Sequence, residues 1–496
     1  MSTRYDQVLY PNVPFLQTHP DRLATLGILF GLDPAPVSKC RVLEVGCGDG
    51  ENLIPMAFEN PASEFLGLDA ADVAIRAGNR EIAAHGLTNI RLEHVDLTDA
   101  GSEIGVFDYL IAHGFYSWVP EPVRDKLLAL AQAVLSPHGI LFVSYNALPG
   151  GRIRQMFRDM MMFHLGEVTE LEAAVQGARE VVQWFQASRA SEGPLGIFQS
   201  QIEAIMERQP NVLYHDELNA VYHPVYLHEF LAHAGGFGLQ YLSEANYYDT
   251  QPGNLPGAVV AEIDRVSRGN RIIRDQYFDF MKCRMMRQTL LCRRDIVLPD
   301  APLANRLALL YAASAAKPVS PKPELGPGIA EEFRGGRGTG VTTAHPLTKG
   351  VMLSLSEVWP QALSFPELLA AACRLTGEPP DAEGLRRILM STFGAGVIEL
   401  HSRPPRCVAG VSQFPVASEL VRSQVRRGRC ATTARHTTIE AKDQNIRLLI
   451  GLLDGTRDLA ALTRELAPHS GLPEAELAEG ILKNLTVLAG LGGLVG

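Results

Sequence analysis

Most of what this sequence lacks is informative. Cysteine is scarce and badly spaced: seven in 496 residues, at 40, 47, 283, 292, 373, 407 and 430, with no CxxC pair. An odd, scattered set excludes a disulfide framework and a zinc ribbon, and it fits a reducing, cytoplasmic compartment. No window reaches the roughly 18 consecutive apolar residues of a membrane span. The opening MSTRYDQVLYPNVPF has no apolar run of the kind a secretory signal carries. Positive charge is also short. Forty-five Lys and Arg against 55 Asp and Glu give a net charge of −10, which argues against phosphate-backbone binding as the main role of the chain. Apolar residues are plentiful at 46%, enough to bury several cores, and the length implies two to four domains.

The first 150 residues alternate between short apolar runs and amphipathic stretches. Strands are expected at 41–45, 65–68, 89–97, 107–114 and 140–145, with helices over 51–59, 72–85 and 121–135 between them. That alternation is the signature of βαβ units and a parallel sheet, which binds ligands at the carboxyl ends of its strands. The first such end reads Glu44-Val45-Gly46-Cys47-Gly48-Asp49-Gly50. A dinucleotide fingerprint would need a third glycine at 51, where the sequence has Glu51. Glu44 is a poor neighbour for a pyrophosphate and a good one for an α-amino group. Asp69 follows 23 residues after Gly46, the interval of an acid that accepts from ribose hydroxyls. Asp96 closes the third strand, where an acid can accept from an adenine amino group. Ala70 and Leu97 adjoin these acids and are assigned with them. Taken singly, each acid has a bland reading as a solvated turn. In order and at these intervals they outline one ligand, an adenosine carrying an amino acid.

The fourth strand runs into His113-Gly114-Phe115-Tyr116-Ser117-Trp118-Val119-Pro120. Tyr116 and Trp118 are candidates for an acceptor slot, since aromatic walls hold cations. Packing beneath a loop is the plain structural reading. His113 is expected to pack on the adenine or satisfy a backbone group. Asn146, at the end of the fifth strand, either lines the acceptor mouth or serves the turn. The stretch before the first strand, rich in Tyr and Pro, is expected as a lid or a strap, with Tyr10, Gln17, Thr18 and His19 as its candidate residues. His223 and His228 are five apart, off the helical i, i+4 spacing, and no third ligand is set, so no metal site is expected.

These motifs resemble the class I S-adenosylmethionine-dependent methyltransferases, with LSPHG (135–139) similar to the turn those proteins place before their fifth strand. The resemblance is narrower still. YDQVLYPNVPFLQTHPDRLATLGILFG, RVLEVGCGDGENLIPMA, HGFYSWVP and SYNALPGG look like the methyltransferases that carry a methyltransferase regulatory domain, whose best-known members are rickettsial protein lysine methyltransferases. YLHEFLAHAGGFGLQYLSEA, QYFDFMKCRMMRQTLLC and TTAHPLTKGVMLSLSEVWP extend it through the middle and into the C-terminal part. The resemblance implies an α/β protein. Its Rossmann-like core is a mostly parallel seven-stranded sheet, followed by a largely helical middle and winged-helix-like C-terminal domains. It implies S-adenosylmethionine as cofactor, and methyl transfer to a lysine amine of a protein substrate, with a surface or outer-membrane protein as the acceptor the resemblance suggests. It also implies a homodimer.

The expected organisation is a methyltransferase core with its lid at 1–165, a helical regulatory or dimerisation domain at 166–311, a linker at 312–341 rich in Pro, Ala and Gly, and a C-terminal domain at 342–496. That last part holds two similar three-helix units, a weak internal repeat. Arg422, Arg426, Arg427, Arg429 and Arg435 lie between them and invite a DNA reading. The acid balance of the chain favours protein docking instead. Two other functions fit the same motifs: a small-molecule N- or O-methyltransferase, and a non-catalytic S-adenosylmethionine-binding regulator that uses its winged-helix units.

Overall fold

A computed structural model describes residues 4–168, 170–188, 198–428 and 430–496. Seven strands form the central sheet: β1 (Arg41–Val45), β2 (Glu64–Asp69), β3 (Ile90–His94), β4 (Phe107–Ala112), β5 (Leu135–Asn146), β6 (Leu239–Glu244) and β7 (Met286–Arg293). Their order is β3-β2-β1-β4-β5-β7-β6. All pairings are parallel except those of β7, which runs against both β5 and β6. The inner strands read as near-continuous apolar runs because helices cover both faces. Val42, Leu43, Leu110, Ile111, Leu141 and Phe142 are all fully buried. The chain steps outward from β1 to β3, then returns to β4 on the other side of β1. That reversal opens a crevice at the carboxyl ends of β1 and β4, the usual ligand site of such sheets.

The helices Leu53–Glu59, Asp72–Ala84 and Glu121–Val134 lie where the hydropathy pattern puts them. The expected turn at 136–139 is instead absorbed into β5. Leu135 pairs with Phe107 and the ladder resumes at Tyr109–Ile140 after an irregularity, while Ser136 donates to the Asp108 carboxylate at 3.0 Å.

The middle region is not only helical. Helices Gly151–Leu165, Leu171–Ala187, Gln199–Glu207 and Pro210–Asp216 enclose their own core around Phe157, Met161, Val182 and Leu213. Beyond them the chain returns to the sheet as β6 and β7. A boundary at 165 therefore cuts through the sheet's own sequence. The reason is burial: Leu290, Leu291 and Cys292 are fully enclosed and pair with β5.

The stretch 312–341, expected as a linker, carries local sheet structure. Tyr311–Ala313 pairs with both Leu363–Ser364 and Glu399–His401, and Lys317–Pro318, Glu331–Arg334 and Gly340–Thr343 form a second small sheet. Phe333 is buried at its centre, and the buried Lys349 ammonium donates to the carbonyls of Glu324 and Gly326. The first C-terminal three-helix unit comprises Pro346–Val358, Phe365–Thr376 and Ala382–Gly394. It shares one continuous apolar core with the outer face of the sheet. The second comprises Gln444–Leu452, Leu459–Ser470 and Glu474–Gly490, and has a separate core.

Among the described residues, no helix is long and apolar enough to cross a membrane.

Candidate active site

The crevice at the strand ends encloses a cavity of about 470 Å³, a size suited to a cofactor-sized ligand. One half of it is made by the β1 loop. Gly46, Gly48 and Gly50 all have left-handed φ (74°, 56° and 77°), a conformation that only glycine adopts without strain. A Cβ on Gly48 would lie 2.0 Å from Asn12 Nδ2, and one on Gly46 would meet the Phe115 ring at 3.0 Å. The two therefore keep the backbone bare at the cavity. Gly50 does not line it; a Cβ there would meet Leu92 at 2.8 Å, so its part is packing.

Glu44 is the penultimate residue of β1 and is buried. Its Oε1 accepts from Asn52 Nδ2 at 2.8 Å, whereas Oε2 is buried without a hydrogen-bond partner. Burial pushes its carboxyl up to about 8, with Asp69 adding to the rise and Asn52 opposing it. A buried carboxylate oxygen with no donor is costly, and on a cavity wall it asks for a cationic ligand group. Asp69 accepts from Gly48 N and Ala71 N, both at 2.8 Å. Burial raises its carboxyl, against these two bonds. Each of its oxygens keeps capacity for a hydroxyl donor. Asp96 is exposed at the rim; its Oδ1 takes both the backbone N–H and the hydroxyl of Thr98, which hold it ionised. Ala70, Leu97 and His113 line the cavity as well. The His113 ring centroid is 3.9 Å from that of Phe15, its Nδ1 has no partner, and burial lowers it to about 4, so the imidazole is neutral.

The segment 9–15 covers this half. Leu9, Tyr10, Asn12, Val13 and Phe15 line the cavity. Asn12 Nδ2 donates to Asp49 at 2.9 Å, and Phe15 N donates to Asn52 Oδ1 at 2.9 Å. Of the expected lid residues, only Tyr10 lies on the wall. Gln17, Thr18 and His19 sit beyond it. The Thr18 hydroxyl bonds Asn52, and His19 Nδ1 caps the helix Pro20–Leu29 by accepting from Asp21 N. Thr18 and His19 anchor the C-terminal end of the strap.

The other half of the cavity is built from distant segments. Trp118 lines it; Tyr116 does not. Tyr116 is buried in the apolar core, edge-on to Phe230 at 5.1 Å, with its hydroxyl bonded to His233 Nδ1 at 2.7 Å. The short 3-10 turn Tyr116–Trp118 points the two rings to different sides. Trp118 packs against Tyr222 with the rings tilted by 50° and their centroids 5.5 Å apart, and it lies under the guanidinium groups of Arg154 (5.1 Å) and Arg158 (5.5 Å). Arg154 and Asp216 complete the wall beside Asn146. Arg154 donates to Glu217 (3.2 Å), to Asn146 Oδ1 (3.0 Å) and to the Asp216 carbonyl (3.2 Å). Burial raises the Asp216 carboxyl, against Arg154 and Arg208.

Sequence reasoning missed Asn12, Phe15, Asn52, Arg154 and Asp216. Asn52 had a faint signal, being the polar residue just ahead of a helix that starts at Leu53. Arg154 and Asp216 had none, because 61 intervening residues separate them.

Three arginines of the C-terminal cluster are spent internally, and Arg426 is exposed. Arg427 pairs with Glu81, Arg435 pairs with Glu399 and stacks on Trp359 at 4.1 Å, and Arg422 donates to the Ala417 carbonyl. Arg429 lies outside the described residues. No group of three metal-ligand side chains occurs among the described residues.

Three family models match the chain: a methyltransferase domain over residues 36–190, a predicted methyltransferase regulatory domain over 209–293, and the PKMT C-terminal winged helix domain over 414–478. A Rickettsia prowazekii relative, Uncharacterized protein RP789, is 33% identical over 376 residues, covering 74% of this chain and 68% of its own length. A second protein of that organism, RP028, is 34% identical over 232 residues, 46% of this chain and 93% of its own. The structure of PKMT2 from Rickettsia typhi, solved in complex with AdoHcy, superposes with a TM-score of 0.88. It covers 98% of this chain and 100% of that one, at 24% identity. The chain belongs to the S-adenosylmethionine-dependent methyltransferases that join a class I methyltransferase domain to a methyltransferase regulatory domain and a C-terminal winged helix.

Proposed function

We propose that this methyltransferase modifies an amine, the side chain of lysine, on a protein substrate. The observation that carries the reading is the acceptor half of the cavity, where an aromatic ring, Trp118, and a half-buried carboxylate, Asp216, line one wall. An aromatic face with a carboxylate beside it attracts an ammonium. A lysine in water holds its proton to a pKa of about 10.4. Desolvation lowers that value, and a carboxyl raised by burial is suited to receive the proton. The PKMT name carried by the Rickettsia typhi structure and by the matched winged helix supports a protein acceptor.

In the cofactor half, the residues present fit S-adenosylmethionine. Glu44 Oε2 would take its ammonium, Asp69 its ribose hydroxyls and Asp96 its adenine amino group, with the bare backbone of Gly46 and Gly48 against it and His113 and Phe15 packed on its side. When bound, that group supplies an electrophilic methyl on a sulfonium. The protein's own contribution is positioning and exclusion of water, by the 9–15 segment above all. The accessory units, about two thirds of the chain, serve in this reading to present a macromolecule and to pair two copies as a homodimer. An outer-membrane or surface protein is the acceptor the family resemblance suggests.

Incubation with methyl-labelled S-adenosylmethionine and a cell lysate tests the reading. Label on a protein band, mapped by mass spectrometry to a lysine ε-nitrogen, is the expected result. Label confined to small molecules would overturn the protein acceptor and leave the cofactor assignment standing.

A further inference from the structure

The second C-terminal unit reaches into the cofactor site through one side chain. Strands Ala431–Thr432 and Thr438–Ile439 form a short antiparallel ribbon. Its turn is closed by Thr433 N donating to the Thr437 carbonyl (2.8 Å) and by a bond between the two threonine hydroxyls (2.8 Å). His436 sits in that turn with φ at +55°, left-handed for a residue with a side chain. Such conformations are uncommon outside glycine, and they persist where the surroundings fix them.

The ring is buried, and its Nε2 lies 3.0 Å from Asn52 Oδ1. The amide orientation is settled by Phe15, whose backbone N–H donates to the same Oδ1 at 2.9 Å. An amide oxygen only accepts, so His436 donates from Nε2. Asn52 Nδ2 then faces Glu44 and donates to Oε1 at 2.8 Å. Thr18 bonds the same amide. One buried asparagine thus joins the strap over the cavity, the acid at the end of β1, and a hairpin 384 residues further along the chain. The bond to Oε1 leaves Oε2 as the unpartnered oxygen.

We infer that His436 is a positioning residue of the cofactor site: through Asn52 it fixes which oxygen of Glu44 is offered to the amino-acid end of the cofactor. The inference rests on the cofactor assignment above. It makes the C-terminal unit part of the methyl-donor site as well as a docking module, and it is specific to one end of the ligand. The adenosine end would be held by Asp69 at the end of β2 and Asp96 past the end of β3, neither of which bonds His436.

The test uses the full-length protein and two ligands, AdoHcy and 5′-methylthioadenosine, which lacks the amino-acid carbons, ammonium and carboxylate. Both are titrated by calorimetry. His436→Ala is expected to weaken AdoHcy about tenfold, the worth of one buried hydrogen bond, and methylthioadenosine less than about twofold. His436→Gln, which still carries an N–H donor at similar reach, should recover most of the loss. In a Glu44→Gln background the same His436→Ala change should cost less than about twofold, because the two act on one interaction. Should His436→Ala fail to fold, His436→Asn takes its place, since asparagine tolerates a left-handed backbone but is too short to reach Asn52. Equal weakening of both ligands, unchanged AdoHcy affinity, or full additivity with Glu44→Gln would each overturn the inference. A wild-type protein that bound neither ligand would instead overturn the cofactor assignment on which it rests.

Discussion

The two halves of the cavity are built in different ways. The proposed cofactor half is local: Glu44, Gly46, Gly48, Asp69 and Asp96 sit at or just past the ends of adjacent parallel strands, the acids held by the Asn52 amide and by backbone N–H groups of the same βαβ units. The proposed acceptor half is assembled from three separate stretches, around Trp118, Arg154 and Asp216, and is held by the Arg154–Asp216 ion pair and the packing of Arg154 on Trp118. A strand end fixes a residue's position whatever the rest of the chain does. An ion-paired wall exists only once distant helices have docked. The first kind of site takes its frame from the sheet, and distant segments reach it at one end, through Asn52; the second is made by the docking of distant segments themselves.

Four substitutions break or sharpen this contrast. Glu44→Gln carries the largest expected effect, a loss of AdoHcy affinity of about 10²–10³-fold by calorimetry, as for truncating one partner of a buried charge pair. The same change acts oppositely on the empty protein. The carboxyl is held near 8 in the fold against an ordinary 4.5. The folded state therefore binds more protons than the unfolded chain between those values, and stability falls as pH rises through that window. Glu59, also raised by burial to about 8, shares this slope. Glu44→Gln should flatten the decline in unliganded stability between pH 5 and about 8 without abolishing it, measured by denaturant unfolding.

Arg154→Met comes next. Glu217 is fully buried, and Arg208 would remain as its other cation. A loss of about 3 kcal/mol in unfolding free energy is expected, with methyl transfer to protein lost and AdoHcy affinity held within about threefold. If AdoHcy affinity fell as far as transfer, the two halves would not be independent.

Asp69→Ala should weaken AdoHcy by about 1–3 kcal/mol through unpaired ribose hydroxyls, and leave the KM for the acceptor unchanged. Unchanged AdoHcy affinity would remove Asp69 from the site. Trp118→Ala is the smallest: about 1 kcal/mol, read as a roughly fivefold rise in acceptor KM with no change in AdoHcy affinity.

The same contrast explains what was legible beforehand. β1–β5 and the helices between them follow from hydropathy period and turn residues, both local properties. So do Glu44 and Asp69, whose spacing is set by one βαβ unit. Tyr116 and Trp118 share a motif but part ways, because a three-residue 3-10 turn sends one ring to the core and the other to the cavity. β6 and β7 lie in a region read as helical, since short buried strands separated by helices resemble helix segments in composition. The stretch 312–341 reads as linker by composition, and it forms sheets because Phe333 and Ala313 find buried partners elsewhere in the chain.

The sequence by itself determined the class I core, the acids at its strand ends and the glycine loop between them. Each depends on bonds and dihedrals within about one βαβ unit. Only the tertiary structure decided the acceptor wall, the fusion of the first C-terminal unit to the sheet, and the reach of His436 to Asn52. Those depend on which surfaces meet after hundreds of residues of intervening chain, and no local pattern encodes that meeting.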